Sequence, residues 1–225
     1  MVLYQRVGGP QRQAAAQLPL ALAAAAVLLL VTVFGRRLLP GGAPRAAAPP
    51  LSDGGRAALV DAAGCNASQL VGGAALRVQL AGGKAPLAEG AVIKPSEAAA
   101  QPAVTVTAPG LYSLVLVDPD APAPDNPSAR SWLHWMLVNC KAPAAGAGAC
   151  QELTPYAPPT PPKGRHRYVL LVYLQPGGAA VTAAAPAQRA KFSAHDWSEG
   201  LWGAGATPAA LTYFEAAPEA PRRRG

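Results

Sequence analysis

Three apolar runs constrain the fold of this chain more than any other feature. They cover 111–117, 132–138 and 168–174, each is seven residues long, and proline or glycine residues separate them. Seven residues is a typical length for a strand and is short for a helix. Because these runs show little polar alternation, we expect strands that are buried on both faces. Such burial requires two packed sheets, or a central sheet covered by loops and a helix.

Other segments predict shorter elements around these strands. Residues 76–80 alternate between apolar and polar side chains, and 103–107 form a short β-branched run, so both are expected to be strands. Helical candidates are confined to 57–63 and to the region 187–201. We therefore predict a mainly β domain with one or two peripheral helices.

The N-terminal part of the chain differs in composition from the rest. No charged residue occurs from 13 to 35, and its most apolar part is 18–34. This part lies at the short end of the roughly 17–25 residues that cross a membrane as a helix. We predict an N-terminal hydrophobic helix that anchors the protein in a membrane as a single-pass span. A cleaved signal peptide, which would give a secreted protein, and an organelle presequence are the alternatives.

The predicted organisation follows from these composition changes. A linker rich in proline, glycine and alanine separates the apolar segment from the strands. We assign an anchor or targeting segment to 1–37, the linker to 38–56, the folded domain to 57–217 and a basic tail to 218–225.

Basic residues are concentrated at the two ends of the chain. The formal net charge is +7, but residues 57–221 hold ten basic and eleven acidic side chains. A domain that binds nucleic acid needs basic residues clustered on its folded surface. We therefore expect no nucleic-acid partner, and the basic ends are better suited to a membrane surface or an import machinery.

The cysteines and one sequon bear on the compartment. Cys140 and Cys150 flank the stretch KAPAAGAGA and could close a loop in an oxidising compartment. With Cys65 the count is odd, and we expect three free thiols instead. Asn66 begins a glycosylation sequon, which is usable only in the secretory lumen.

Two histidines lie on the predicted buried strands. Residues two apart share a face of a strand, so Trp132, His134 and Met136 should point one way, and His166 and Tyr168 should also share a face. A buried imidazole without a partner is costly. Each histidine therefore either satisfies a hydrogen bond in the core or belongs to a polar site.

Two carboxylates at the end of a buried strand favour a polar site. Asp118 and Asp120 directly follow 111–117 and alternate with prolines. A carboxylate can hold one imidazole by its ring N–H and leave the other nitrogen facing a cavity. Two such imidazoles, partly protonated near neutral pH, would bind a phosphate or a carboxylate.

At these residues the chain resembles the phosphatidylethanolamine-binding protein family. That family includes the Raf-kinase inhibitor proteins of animals and the florigen-type regulators of plants. The similarity rests first on three motifs: DPDAP at 118–122, WLH at 132–134 and PPKGRHRY at 161–168. It extends to KPSE at 94–97, QP at 101–102, GLYSL at 110–114 and LTYFE at 211–215. We find no counterpart of the C-terminal helix of the animal members. The residues that form the motifs are more similar to those of the plant-like branch.

The resemblance implies a β-sandwich with a small anion pocket near one edge of a sheet. In the family this pocket accepts the phosphate of phosphoethanolamine head groups and similar small anions. Asp118 would orient an imidazole, His134 and His166 would contact the anion, and Trp132 and Tyr168 would form walls of the mouth. Carried over residue by residue, the ligand-binding residues would be Asp118, Asp120, Pro122, Trp132, His134, Pro162, His166 and Tyr168.

The function implied by the resemblance is a non-enzymatic binding module without a cofactor. Its ligand would be a phosphate-bearing small molecule or a phospholipid head group, and its protein partner would be of the kinase-pathway or transcription-regulator type. A hydrolase or protease inhibitor is one alternative, and a structural subunit of an organelle assembly with a vestigial pocket is another. A zinc site built from Asp118, His134 and His166 is a further alternative, but no HxH or HxxxH spacing supports it.

Overall fold

A six-stranded sheet forms the centre of the fold. The computed structural model describes residues 76–145 and 149–219, together with residues 58, 59, 61 and 63. The strands are β1 Leu76–Gln79, β2 Ala91–Ile93, β3 Ala103–Val106, β4 Leu111–Asp118, β5 Trp132–Lys141, β6 Ala144–Ala145, β7 Gln151–Thr154, β8 His166–Leu174 and β9 Ala210–Ala216. The large sheet has the order β2-β9-β8-β4-β5-β7, and β1, β3 and β6 form a small sheet in the order β1-β3-β6.

The three apolar runs occupy the middle of the large sheet. β4 pairs antiparallel with both β5 and β8, and β8 pairs antiparallel with β9. β2 then pairs with β9 in parallel. The carboxyl end of β4 therefore lies beside the amino ends of β5 and β8, which brings Asp118, His134 and His166 to one end of the sheet.

Both faces of the large sheet are covered, as the apolar runs predict. On one face, Leu114, Trp135 and Leu170 belong to the same core cluster as Val78 and Val104 of the small sheet. On the other face, a second cluster joins residues of β4, β5 and β8 to the segment around helix α1, Ala194–Trp202. Both modes of burial considered from the sequence are therefore present, and the mainly β prediction is confirmed.

The predicted strands all form, with small differences at their ends. The run predicted at 132–138 continues to Lys141, and the run predicted at 168–174 begins two residues earlier, at His166. β2, β6 and β7 were not predicted from their residues, and they have only two to four residues each. Two short 3-10 helices, Pro95–Ala98 and Pro176–Gly178, complete the described elements.

The two predicted helices have different outcomes. In the segment 57–63, the described residues Ala58, Leu59 and Asp61 are helical. The helix predicted over 187–201 begins only at Ala194, where the Ser193 side chain accepts a hydrogen bond from the N–H of Asp196. The preceding residues are held instead by backbone bonds to the start of β5, for example from the N–H of Leu133 to the carbonyl of Arg189 at 2.8 Å.

The prediction of a single-pass membrane protein is corrected. Within the part of the chain that the structure describes, no helix has the length and the apolar character needed to cross a bilayer. The segment 18–34, on which the prediction depended, lies outside the described residues, as do Asn66 and the tail from 220 onward.

The expectation of three free thiols is also corrected. Cys140 and Cys150 form a disulfide, with Cα atoms 4.3 Å apart. The bridge joins the end of β5 to the residue before β7 and closes the loop that contains β6. Cys65 lies outside the described residues.

Candidate anion-binding site

A β-bulge in β5 sets the direction of His134. Leu116 pairs with Trp135, whereas the next residue, Val117, pairs with Leu133, so that His134 is the extra residue of the bulge. A bulge bends the strand and redirects a side chain. As a result Met136 packs on the α1 side of the sheet, whereas the His134 ring meets the ring of Tyr168, which belongs to the cluster on the opposite face. The prediction that Met136 shares the face of His134 is therefore wrong.

Asp118 lies close to both imidazoles. Its Oδ2 atom is 2.7 Å from Nδ1 of His166 and 4.0 Å from Nε2 of His134, so both rings approach one carboxylate oxygen. Its Oδ1 atom accepts a hydrogen bond of 2.8 Å from the N–H of Asp120. Burial raises the pKa of Asp118 above its usual value, although the hydrogen bonds from His166 and Asp120 act in the opposite direction.

His166 uses both of its ring nitrogens inside the protein. While Nδ1 contacts Asp118, Nε2 lies 3.0 Å from the carbonyl oxygen of Lys163. A carbonyl only accepts, so Nε2 donates to Lys163, and Nδ1 is engaged by the carboxylate of Asp118. Neither nitrogen is left for a ligand. The prediction that His166 contacts the anion directly does not fit this geometry; the residue fixes Asp118 and the loop at Lys163 instead.

His134 and His166 both line the cavity, but the Nε2 atom of His134 lies beyond hydrogen-bond distance of Asp118. The Nδ1 atom of His134 lies 2.8 Å from the carbonyl oxygen of Ala157, so Nδ1 donates and Nε2 remains toward Asp118 and the cavity. Burial lowers the pKa of His134, and the positive charges of Arg189 and His166 lower it further, against the raising effects of the Ala157 hydrogen bond and of Asp118. Because this pKa lies below the ordinary value of 6.5, His134 is neutral at pH 7, with a lone pair on Nε2.

Tyr168 contributes a hydroxyl group that has no hydrogen-bond partner among the residues that the structure describes. The side chain is fully buried and lines the same cavity as His134. Among the described residues, none lies within hydrogen-bond distance of its hydroxyl oxygen. Burial and the nearby carboxylates Asp118 and Asp120 raise the pKa of Tyr168, so the group stays a neutral donor. A buried donor of this kind is usually satisfied by a ligand or an ordered water.

The remaining predicted residues separate into walls of the cavity and one residue outside it. Pro122, Trp132 and Pro162 line a cavity of about 310 Å³ together with Ala121, Ala129, Ala157, Pro158 and Thr160. Apart from Thr160, these added wall residues are alanines and prolines. Asp118, His134, His166 and Tyr168 also line this cavity, so a mostly apolar cleft contains a few polar side chains, a usual form for a small-ligand site.

Asp120 is not among the residues that line this cavity. Its carboxylate accepts hydrogen bonds from Nε and Nη2 of Arg167, at 2.8 and 2.6 Å, and from the backbone N–H of Arg167 at 2.8 Å. Burial raises the pKa of Asp120, but the bonds and charge of Arg167 outweigh burial and leave the pKa below its usual value. The geometry gives Asp120 a structural role at the base of the loop, in place of the predicted contact with a ligand.

Sequence reasoning missed three groups that complete the site. The carbonyls of Ala157 and Lys163 orient the two imidazoles, and backbone groups leave no signal in a side-chain motif. Arg189 donates to the carbonyls of Leu133 and His134. It lies 55 residues from His134 in the sequence, in a segment that composition assigned to a helix.

These features define a class of protein: a β-sandwich that holds a small, mostly apolar cleft with a few polar side chains at the ends of its central strands. The sequence profile of the phosphatidylethanolamine-binding protein family matches residues 82–214, more than half of the chain. The chain therefore belongs to the phosphatidylethanolamine-binding protein family, as the motifs predicted.

Known proteins with similar sequences include plant members of this family. The protein TWIN SISTER of FT from Arabidopsis thaliana is 34% identical over 135 residues, which are 59% of this chain and 74% of the relative. The protein FLOWERING LOCUS T from the same plant is 33% identical over 134 residues, which are 58% of this chain and 74% of the relative.

Solved structures share the fold at lower identity. A carboxypeptidase Y inhibitor, solved in complex with its cognate proteinase, has a TM-score of 0.61 at 22% identity and covers 72% of this chain and 91% of its own. A phosphatidylethanolamine-binding protein from Plasmodium vivax has a TM-score of 0.54 at 17% identity, covering 67% and 88%. At these identities the likeness concerns the fold alone.

Proposed function

We propose that this chain is a non-enzymatic binding module whose cavity takes a small phosphate-bearing anion. The observation that carries the proposal is that one cavity is lined both by Tyr168, whose hydroxyl has no hydrogen-bond partner among the described residues, and by His134, whose Nε2 atom is 4.0 Å from Asp118. The hydroxyl is a donor that suits an anionic oxygen. The ligand class includes inorganic phosphate and phosphomonoesters or head groups with the same tetrahedral oxygens.

Binding an anion here requires a proton on His134. The neutral ring presents a lone pair at Nε2, which repels an anionic oxygen, whereas the imidazolium ring donates a hydrogen bond from the same position. Burial lowers the pKa of His134 in the folded protein. The anion therefore binds with uptake of one proton, and the affinity rises as the pH falls, by at most about tenfold per pH unit.

A non-enzymatic role is supported by the surroundings of the two imidazoles. His134 bonds to the carbonyl of Ala157, and His166 bonds to Asp118 and to the carbonyl of Lys163. A covalent mechanism needs a nucleophile within hydrogen-bond reach of a base. In the described ranges no hydroxyl or thiol is hydrogen-bonded to either ring. The idea of a protein partner of the kinase-pathway or transcription-regulator type rests on the family resemblance and stays a prediction.

The test is an anion titration at several pH values, followed by NMR of the histidine rings. Sulfate is the main probe, because it remains a dianion between pH 6 and pH 8 whereas phosphate titrates in that range. Inorganic phosphate and phosphoethanolamine form two further arms, which separate a free phosphate from a head group. We expect binding to strengthen from pH 8 to pH 6, with a shift of the His134 resonance.

Two variants make the result specific. His134→Asn keeps a donor near Ala157 but cannot take up a proton, so it should bind weakly and without a pH slope. His195→Asn is the matched control, because His195 lies on α1 and pairs with Glu199 away from the cavity. Wild-type protein that binds none of the three anions at pH 6, or a pH slope that persists in His134→Asn, would contradict the proposal.

A further inference from the structure

Arg189 ties together three segments that meet behind the cavity. Its Nη1 atom donates to the carbonyls of Leu133 and His134 at 3.0 and 3.1 Å, and Nη2 donates to the carbonyl of Pro155 at 2.8 Å. Its own carbonyl accepts from the N–H of Leu133 at 2.8 Å. Among the described residues no carboxylate forms an ion pair with Arg189. Within the described part of the chain, the guanidinium thus bonds to backbone oxygens alone.

The carbonyl oxygens that Arg189 binds lie next to the hydrogen bonds between His134 and Ala157, which orient the His134 ring. The N–H of Ala157 donates to the carbonyl of His134 at 2.8 Å, and Nδ1 of His134 donates back to the carbonyl of Ala157 at 2.8 Å. Arg189 holds the same His134 carbonyl and the carbonyl of Pro155, two residues before Ala157. The two hydrogen bonds between His134 and Ala157 therefore depend on the distance between β5 and the segment after β7. The guanidinium of Arg189 sets this distance.

We propose that Arg189 is a positioning residue of the anion site, which fixes the Nδ1-protonated form of His134 and keeps Nε2 directed toward the cavity. The inference rests on the proposed anion-binding function. Arg189 acts through His134 and Ala157 and does not itself line the cavity. A planar group with several donors in a fixed fork is suited to bind carbonyls from different segments at once, and a lysine ammonium is not equivalent.

The charge of Arg189 has a second effect on the same ring. The charged and titratable groups that face His134 are Asp118 from β4, His166 and Tyr168 from β8, and Arg189. Asp118 favours a proton on His134, whereas Arg189 and His166 disfavour it. Loss of the Arg189 charge therefore raises the pKa of His134. Loss of the planar guanidinium weakens the hydrogen bond that orients the His134 ring. Geometry and charge can be separated by two substitutions.

The experiment compares Arg189→Gln and Arg189→Lys with the wild type, using full-length protein. Nitrogen-15 shifts of the imidazole report the tautomer and the titration midpoint of His134, and sulfate titration below that midpoint reports affinity. In Arg189→Gln we expect a mixture of tautomers, a midpoint higher by at least about half a pH unit and sulfate binding weaker by about tenfold. In Arg189→Lys the midpoint should stay near the wild-type value, while the tautomer preference and the affinity fall in part.

The control is Arg77→Gln, because Arg77 is an exposed arginine on β1 of the small sheet. It should leave the tautomer, the midpoint and the affinity unchanged. A purely structural role for Arg189 would lower thermal stability without moving the midpoint in the folded protein. If Arg189→Gln keeps the wild-type titration midpoint of His134 and a single Nδ1 tautomer, the inference is overturned. If Arg189→Gln does not fold, an unchanged His134 tautomer and an unchanged sulfate affinity in Arg189→Lys overturn it. Absence of sulfate binding in the wild type overturns the proposed function instead, and the ring measurements then still decide on Arg189.

Discussion

Single residues in the cavity and beside it differ in how their substitution should affect affinity and stability. Tyr168 offers a hydroxyl that no described residue satisfies, whereas its ring stacks on Phe214 at a centroid distance of 5.2 Å. Asp120 is the reverse case, because every bond of its carboxylate is internal. A ligand-binding role and a structural role can therefore be told apart by measuring affinity and stability on the same variants.

Tyr168→Phe should weaken anion binding without loss of stability. The substitution removes a buried donor that lacks a partner and keeps the ring, so the free energy of unfolding should stay the same or rise slightly. Sulfate affinity at pH 6 should fall by about tenfold. Tyr112→Phe is the control: its hydroxyl donates to the carbonyl of Ala108 at 2.9 Å, so that variant should lose about 1 kcal/mol of stability and keep its affinity. A clear loss of stability in Tyr168→Phe would refute the assignment.

Asp120→Asn should destabilise the protein, and the effect should depend on pH. We expect a loss of about 2 kcal/mol near pH 6, since one partner of a largely buried ion pair is neutralised while Arg167 keeps some contact with water. The pKa of Asp120 is depressed in the folded protein. The ionised carboxylate therefore contributes fully to the free energy of unfolding when the pH is above 3.8, the ordinary pKa. This contribution is lost as the pH falls through the lower pKa of the folded protein.

Urea unfolding between pH 2.5 and pH 6 measures this difference. The gap between Asp120→Asn and the wild type should narrow as the pH falls below 3.8, the ordinary pKa of Asp120. Asp125→Asn, which removes the exposed partner of Lys163, should leave the curve unchanged. If the difference in free energy of unfolding between Asp120→Asn and the wild type does not change with pH, Asp120 stabilises the protein through packing and not through its charge.

At the scale of elements, two loops close the cavity from opposite sides. Ala121, Pro122 and Ala129 come from the loop after β4, and Pro158 and Pro162 come from the loop before β8. The loops touch at Gly164, where an added Cβ would lie 3.0 Å from Cδ of Pro124. This contact and the ion pair between Lys163 and Asp125, at 2.7 Å, join the second loop to the first.

Gly164→Ala should loosen this closure. The residue has φ +80°, which alanine adopts at a cost, and proline cannot move away as a flexible side chain would. We expect a loss of about 1–2 kcal/mol in urea unfolding and weaker sulfate binding. Gly177→Ala is the matched control, with φ +65° and open space around it. It should cost about 1 kcal/mol and leave the affinity intact; equal affinities in both variants would show that the loop contact does not shape the site.

Long apolar strands were predictable from the sequence, whereas short or irregular elements were not. β4, β5 and β8 bury both faces, so their composition alone identifies them. β2 has three residues and depends on its partner β9, which lies more than 100 positions away in the sequence. Within the site, the proximity of Asp118 to both histidines followed from strand order and motif. The roles of His134 and His166 did not, because a bulge and two backbone carbonyls decide them.

The disulfide belongs to the scale of the whole molecule. It closes a loop of ten residues at the far end of β5, about 25 Å along the strand from Trp132. Cys150→Ser should lower the free energy of unfolding by about 2–3 kcal/mol and leave the sulfate affinity and its pH slope unchanged. Thermal unfolding with and without reductant measures the loss. Cys65→Ser is the control, and a fall in anion affinity on reduction would show that the bridge shapes the site across the sheet.

Strand order also has a consequence for synthesis of the protein. β8 carries His166 and Tyr168 and pairs with β4 on one side, but its other side pairs with β9, which leaves the ribosome after every other described strand. A nascent chain that has emerged only through β8 exposes the unpaired amides of an apolar strand. Such an edge is a template for wrong pairing and a natural binding site for chaperones. Ribosome-bound chains that end before β9 should therefore lack the ligand cleft and be protected by chaperones until the last strand arrives.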